Sequence, residues 1–122
     1  MAIRTTAKKK PLGGTPEKTK VTATVDNHGG GGGGTFEANV IISFNSNSLK
    51  EVGMKAGGES ITDANTGIKT ITWSDETIDN DGTEFWVDLE CKNRSTTDVN
   101  CLAVKQPDGP TSNTDKVEVG CP

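Results

Sequence analysis

Between residues 35 and 44 the chain reads TFEANVIISF, and apolar side chains fall on every second position: Phe36, Ala38, Val40, Ile42 and Phe44. Successive side chains of an extended backbone point to opposite faces, so this run has one face to bury and no helical stripe. The same two-residue period recurs. In KTKVTATVD (18–26), Val21, Ala23 and Val25 alternate with threonines, and TEFWVDLECK (83–92) aligns Phe85, Val87, Leu89 and Cys91. IKTITWS (68–74) sets Ile68, Thr70 and Thr72 against Lys69, Ile71 and Trp73. DVNCLAVK (98–105) and DKVEVGC (115–121) complete the strong set, with weaker strands expected in LKEVGMKAGG (49–58) and around Ile61. DETIDNDG (75–82) reads as a polar connection ending in an Asp-Gly turn. Turn residues at short intervals and the lack of any sustained helical period predict an all-β sandwich of seven or eight antiparallel strands.

A chain of 122 residues supports one domain, and its core must be economical, because there is no Tyr and the large aromatics are Phe36, Phe44, Phe85, Trp73 and Trp86. No apolar run approaches the ~20 residues of a membrane-spanning helix, so membrane insertion is not expected. The opening MAIRTTAKKKPLGGTPEKTK has cations but no apolar segment behind them, unlike a secretory signal. Its six cations against Glu17 give +5, which leaves −9 of the net −4 for residues 21–122. Residues 1–16 lack an alternating apolar face and are punctuated by Pro11, Gly13, Gly14 and Pro16. They are expected to form an extended basic arm outside a sandwich of residues 17–122. Ile3, Arg4, Lys8, Lys9, Lys10 and Leu12 would be its partner-binding residues, and a solvated leader is the competing reading. Nucleic acid is disfavoured as the arm's partner, because the cations lack aromatic or Arg-rich interleaving.

Six glycines, Gly29 to Gly34, join two strong strand patterns. A phosphate-gripping loop needs a following helix and a Lys-Ser/Thr pair, whereas here a β-branched strand follows and the next lysine is Lys50. The run is therefore read as a long connection. Other chemistry is thin. His28 is the single histidine and sits beside the glycines, where nothing fixes a catalytic base. Asp75, Glu76, Asp79, Asp81 and Glu84 crowd one end of the sandwich, but Thr77 stands where a calcium loop wants its first carboxylate, which favours a solvated acidic turn. Cys91, Cys101 and Cys121 lack zinc-site spacing. Antiparallel pairing of the strands that carry Cys91 and Cys101 would bring those two within bridging reach, and three reduced thiols are the alternative. A carbohydrate-binding module would need exposed aromatics, whereas Trp73 and Trp86 lie in strands and read as core or half-core packing. No cofactor is expected.

Three segments carry a family resemblance: VTATVDNHG, IKTITWSDETIDNDGTEFWVDLECK and VNCLAVKQPDGPTSNTDKVEV. In order, they resemble the opening strand, the central Trp-ending strand with its Gly turn and long alternating strand, and the closing hairpin of the immunoglobulin-like conserved-repeat domain of unknown function. That domain occurs in bacterial and archaeal surface proteins, and the chain is also similar to the wider group of bacterial cell-adhesion-related Ig-like modules. The glycine run and the cysteines depart from the pattern. The resemblance implies a non-enzymatic structural or display role with no catalytic residues. The expectation is a phage or viral virion-surface decoration protein held to a capsid. The alternative is an Ig-like repeat of a prokaryotic cell-surface adhesin or extracellular filament, and homo-oligomerisation is open in both.

Overall fold

The computed structural model describes residues 2–28 and 34–122, so most of the glycine run, 29–33, lies outside the described residues. The described residues form nine strands: β1 (Ala2–Gly13), β2 (Lys18–His28), β3 (Thr35–Asn45), β4 (Leu49–Met54), β5 (Glu59–Thr62), β6 (Ile68–Asp79), β7 (Thr83–Cys91), β8 (Ser95–Lys105) and β9 (Asp115–Cys121). They make two antiparallel sheets, ordered β1-β2-β7-β4 and β5-β6-β3-β8-β9. Pairing of β2 with β7 in one sheet and of β3 with β6 in the other makes the chain cross repeatedly between layers, as in double-sheet sandwiches.

The alternating patterns become the two inner faces. Phe36, Ala38, Val40, Ile42 and Phe44 are all buried, and so are Val21, Ala23, Val25, Ile71, Trp73, Phe85, Val87 and Leu89. Trp73 from one sheet meets Phe85 from the other, ring centroids 5.5 Å apart, and its indole N–H donates to the Lys55 carbonyl at 3.0 Å. Gly58 makes room for this indole. A Cβ there would stand 3.0 Å from the Trp73 ring, 3.1 Å from Ile71 and 2.6 Å from the Met54 sulfur.

Three expectations are corrected. Residues 2–13 are not an arm outside the sandwich. They form β1, paired with β2 from Ala2↔His28 to Gly13↔Lys18, so the domain includes residues assigned to the arm. Ile3 and Thr5 face inward and are buried. The inward pattern escapes notice because one of its members is a threonine, whose hydroxyl is satisfied by Ser112 Oγ at 2.8 Å. The outer edge of β1 is closed by side chains acting as a substitute strand. The Asn113 amide accepts from Thr5 N–H at 3.0 Å and donates to Thr5 O at 2.9 Å, and the Asp115 carboxylate accepts from Ala7 N–H at 2.8 Å.

The disulfide joins Cys91 to Cys121, Cα–Cα 5.7 Å, and Cys101 is a buried free thiol. Cys91 and Cys101 do not meet because Cys91 ends β7, whereas Cys101 stands mid-strand in β8, opposite Ile42. Cys121 instead pairs with Ser95, where the chain arrives four residues after Cys91, while Cys101 lies roughly 20 Å farther along β8 at ~3.3 Å per residue.

The segment 75–82 is not wholly a connection, since β6 continues to Asp79. A bulge opposite Asn39 absorbs an extra residue, with Asp75 at φ 52° donating its N–H to Asn39 Oδ1 at 2.8 Å. The bulge reverses the side-chain parity of β6. Ile71 and Trp73 are buried before it and Ile78 after it, so the strict alternation on which the sequence reading depends is broken there.

Candidate protein-binding face

The register of the five-stranded sheet fixes which side chains share its outer face. One row across it is Leu102, Ile41, Thr72, Glu59, and the next is Lys116, Asn100, Ser43, Thr70, Ile61. Asn45 and Ile68 pair in the following row. The middle of this face carries small hydroxyl and branched apolar side chains and no cation; its lysine, Lys116, lies on β9 and is paired with Asp98 at 3.3 Å. Ile61 is 77% exposed and Ile68 39% exposed. Beside Ile68 a depression of about 430 Å³ is lined by Ser43, Asn45, Asn100, Asp98 and Glu118. The arrangement offers apolar anchors next to a hydrogen-bonding hollow with carboxylates at its rim, which suits a partner surface with apolar and basic groups.

The open edge of this sheet is β5, four residues long and exposed throughout. Its neighbour across the sandwich, β4, carries Glu51, which faces Lys69 on β6 at 4.0 Å.

The residues singled out in the sequence lie elsewhere. Ile3 belongs to the core. Arg4 makes a two-pronged ion pair with Asp26 on the neighbouring strand, at 2.7 and 3.1 Å, and this hydrogen-bonded carboxylate raises the guanidinium's pKa. Lys9 donates to the Glu118 carbonyl at 2.6 Å. Lys8, Lys10 and Leu12 stay exposed, so the six do not act as one free arm. His28 ends β2, exposed. Burial pushes the Cys101 thiol up to about 12, with the Asp115 charge adding to it, which leaves no nucleophilic thiolate at neutral pH. Among the described residues no cluster of His, Cys, Asp and Glu is placed to hold a metal ion.

The two tryptophans separate. Trp73 is core, as expected, but Trp86 projects from the outer face of the four-stranded sheet, half-buried, with the Lys20 ammonium 4.4 Å from its ring centroid. The signal was in the parity: Phe85, Val87 and Leu89 face inward, so Trp86 between them must face out. Ile61 and Ile68 were equally legible as residues on the face opposite Ser60 and Lys69, but nothing in the sequence says that β5 is an edge.

No protein-family model and no curated protein matches this sequence. Solved structures do match its fold. A cohesin module from a Clostridium perfringens ATCC13124 family 33 glycoside hydrolase gives a TM-score of 0.61 at 16% identity, covering 98% of this chain and 96% of that one. One chain of a CaDoc0917–CaCohA2 complex gives 0.57 at 11% identity, over 97% and 99% of the two chains. The C-terminal domain of the Streptococcus agalactiae AgI/II polypeptide BspA gives 0.55 at 8% identity; 94% of this chain matches 50% of that one, so the present chain spans half its length. At these identities the likeness is one of fold, and the fold is an Ig-like, cohesin-like β-sandwich.

Proposed function

We propose that the chain is a non-catalytic, extracellular protein-binding module, displayed in a prokaryotic surface assembly and docking its partner on the outer face of the five-stranded sheet. The observation that carries this reading is the exposure of Ile61 and Ile68 on one face, with half-buried Ile41 and Leu102 across Ser43, Thr70 and Thr72 and no charge in the centre. Two large apolar side chains left exposed on neighbouring strands of one face favour an interaction site over plain solvated surface. The neighbours lend support, since one of them is a chain of a two-protein complex and another is a domain of a streptococcal polypeptide. Of the two display roles expected from the sequence, these favour the repeat of a cell-surface adhesin or extracellular filament over the virion decoration protein. The Cys91–Cys121 bridge fits display in an oxidising, extracytoplasmic setting, which both roles share.

The test is capture followed by reconstitution. Immobilised wild-type protein should retain a discrete partner from surface extracts of the source organism, and the purified partner should bind saturably by calorimetry. The double variant Ile61→Asp, Ile68→Asp should weaken that binding at least tenfold, because two buried apolar anchors at ~1.5–3 kcal/mol each are replaced by desolvated charges. Thr22→Ala, on the opposite sheet, should leave it unchanged. Equal binding by the double variant would remove this face as the docking site.

A further inference from the structure

On the opposite sheet, a cleft of about 580 Å³ opens beside Trp86, where β6 turns into β7. Trp86 forms one wall, with Thr24, Lys55, Asp79, Asp81 and Glu84 around it. We propose that this cleft is a binding site for an uncharged oligosaccharide, with the Trp86 indole as the stacking platform and the three carboxylates as acceptors for sugar hydroxyls.

The register builds the platform. Trp86 pairs with Thr22, while Lys20↔Asp88 and Thr24↔Glu84 flank it, so Lys20 and the cleft lie on opposite sides of the indole along the strand. Opposite Asp88, β4 supplies Gly53, whose added Cβ would come within 3.9 Å of the indole six-membered ring, and β4 is bulged between Glu51 and Gly53. The cleft is thus edged by an aromatic surface that no side chain from β4 covers at that position. A sugar ring presents an apolar C–H face to such a surface and hydroxyl donors around its rim.

The polar groups suit those donors. The carboxylates of Asp79, Asp81 and Glu84 make no hydrogen bond or ion pair among the described residues, and they supply acceptors only. They do not converge on a common point as metal ligands would. Asp79 is held in place through its backbone, whose N–H donates to Thr83 Oγ1 at 2.9 Å. The Lys55 ammonium is already engaged, donating to the Glu84 carbonyl at 2.8 Å and lying 4.3 Å from the Phe85 ring centroid.

Charge chooses among ligand classes. Three carboxylates against Lys55 repel polyanions such as uronate chains. A cationic peptide side chain would be drawn by the carboxylates but opposed by Lys55 in the same lining and by Lys20 across the indole. A neutral, hydroxyl-rich ligand avoids both penalties.

Because the protein has two tryptophans and Trp73 is buried, intrinsic fluorescence reports on Trp86. Cellohexaose, maltohexaose and chitohexaose are the probes, with a galacturonic acid hexamer and pentalysine as charged counterparts. At least one neutral hexasaccharide should shift the emission saturably in the millimolar range, and amide NMR shifts should centre on Thr24 and residues 82–86. Trp86→Ala, followed by NMR, should weaken binding about tenfold, as loss of one aromatic stack does. Asp81→Asn, an isosteric change on an exposed turn that leaves folding intact, should weaken it severalfold. The Ile61→Asp, Ile68→Asp variant should bind the sugar normally, which separates this site from the protein-docking face. The proposal is overturned if none of the three neutral probes binds, if their shifts map away from Trp86, if Asp81→Asn binds as well as wild type, or if only galacturonate or pentalysine binds.

Discussion

Reduction of the Cys91–Cys121 bridge offers the most quantitative test of the fold. The bridge spans 30 residues and ties the end of β7 in one sheet to the end of β9 in the other. In the chain-entropy description, closing a loop of that length removes about 12 cal/mol/K from the unfolded ensemble, or about 3.6 kcal/mol at 25 °C. That is a large share of the ~5–15 kcal/mol stability of an ordinary domain. With a urea m-value of ~1–3 kcal/mol/M, the unfolding midpoint of the reduced protein should fall by roughly 1.2–3.6 M. The comparison uses one chain in two redox states, so no packing is changed by mutation. Peptide mapping of the oxidised protein without reductant should recover the 91–121 link, with Cys101 free. A 91–101 link, or a reduced protein whose midpoint coincides with that of the oxidised form, would refute both the strand register and the loop argument.

Other consequences can be measured on the same protein. Deleting residues 2–13 strips β1 from β2 and exposes the core beneath Ile3, so the truncated chain should lose its cooperative melt; an unchanged Tm would return those residues to the role of an arm. Gly58→Val should destabilise by ~1–3 kcal/mol through overpacking against Trp73 and Ile71, whereas equal stability would mean that β5 relaxes away from the core. Native Cys101 should resist iodoacetamide at pH 8 and react on unfolding. Its folded-state pKa is raised from 9.0 to about 12, so its contribution is fully present below pH 9. That contribution should be lost at about 1.4 kcal/mol per pH unit as pH rises from 9 to 12, a slope that Cys101→Ala should remove.

Strand existence was legible wherever one face is uniformly apolar, as in residues 35–44, because burial and periodicity then say the same thing. It failed at β1, where the inward set is Ile3, Thr5 and a partly buried Ala7, and where three consecutive lysines suggest solvent. An edge strand needs to bury only part of one face, and a threonine can occupy an inner position once Ser112 accepts or donates its hydrogen bond. The missing information is therefore long-range: Ser112, Asn113 and Asp115 sit more than a hundred residues from the strand they complete. The cysteine pairing failed for the same reason. Proximity in sequence favours 91–101, whereas position along the strands decides for 91–121, since Cys91 and Cys121 both stand at strand ends and Cys101 mid-strand.

The treatment of sheet edges connects these lapses to the candidate interfaces. An unpaired strand edge invites association, and folds blunt it with charges, prolines, bulges or cover. Here β1 carries Lys8, Lys9, Lys10 and Pro11 and is closed by Asn113 and Asp115, while Lys9 reaches across to the Glu118 carbonyl on β9. On the far side, β4 is bulged between Glu51 and Gly53. Of the two edges of the five-stranded sheet, β9 carries Lys116 and receives Lys9, whereas β5 has neither lysine nor proline, and its Ile61 is the most exposed of the large apolar side chains. The basic N-terminal segment thus protects one end of the sandwich, which removes the charge argument for an attachment arm. The unprotected edge adjoins the face assigned here to a partner. If that assignment holds, Ile61→Lys should block docking without loss of stability, because the side chain contributes almost nothing to the monomer core. A stability loss above ~1 kcal/mol in that variant would show that Ile61 supports the fold instead.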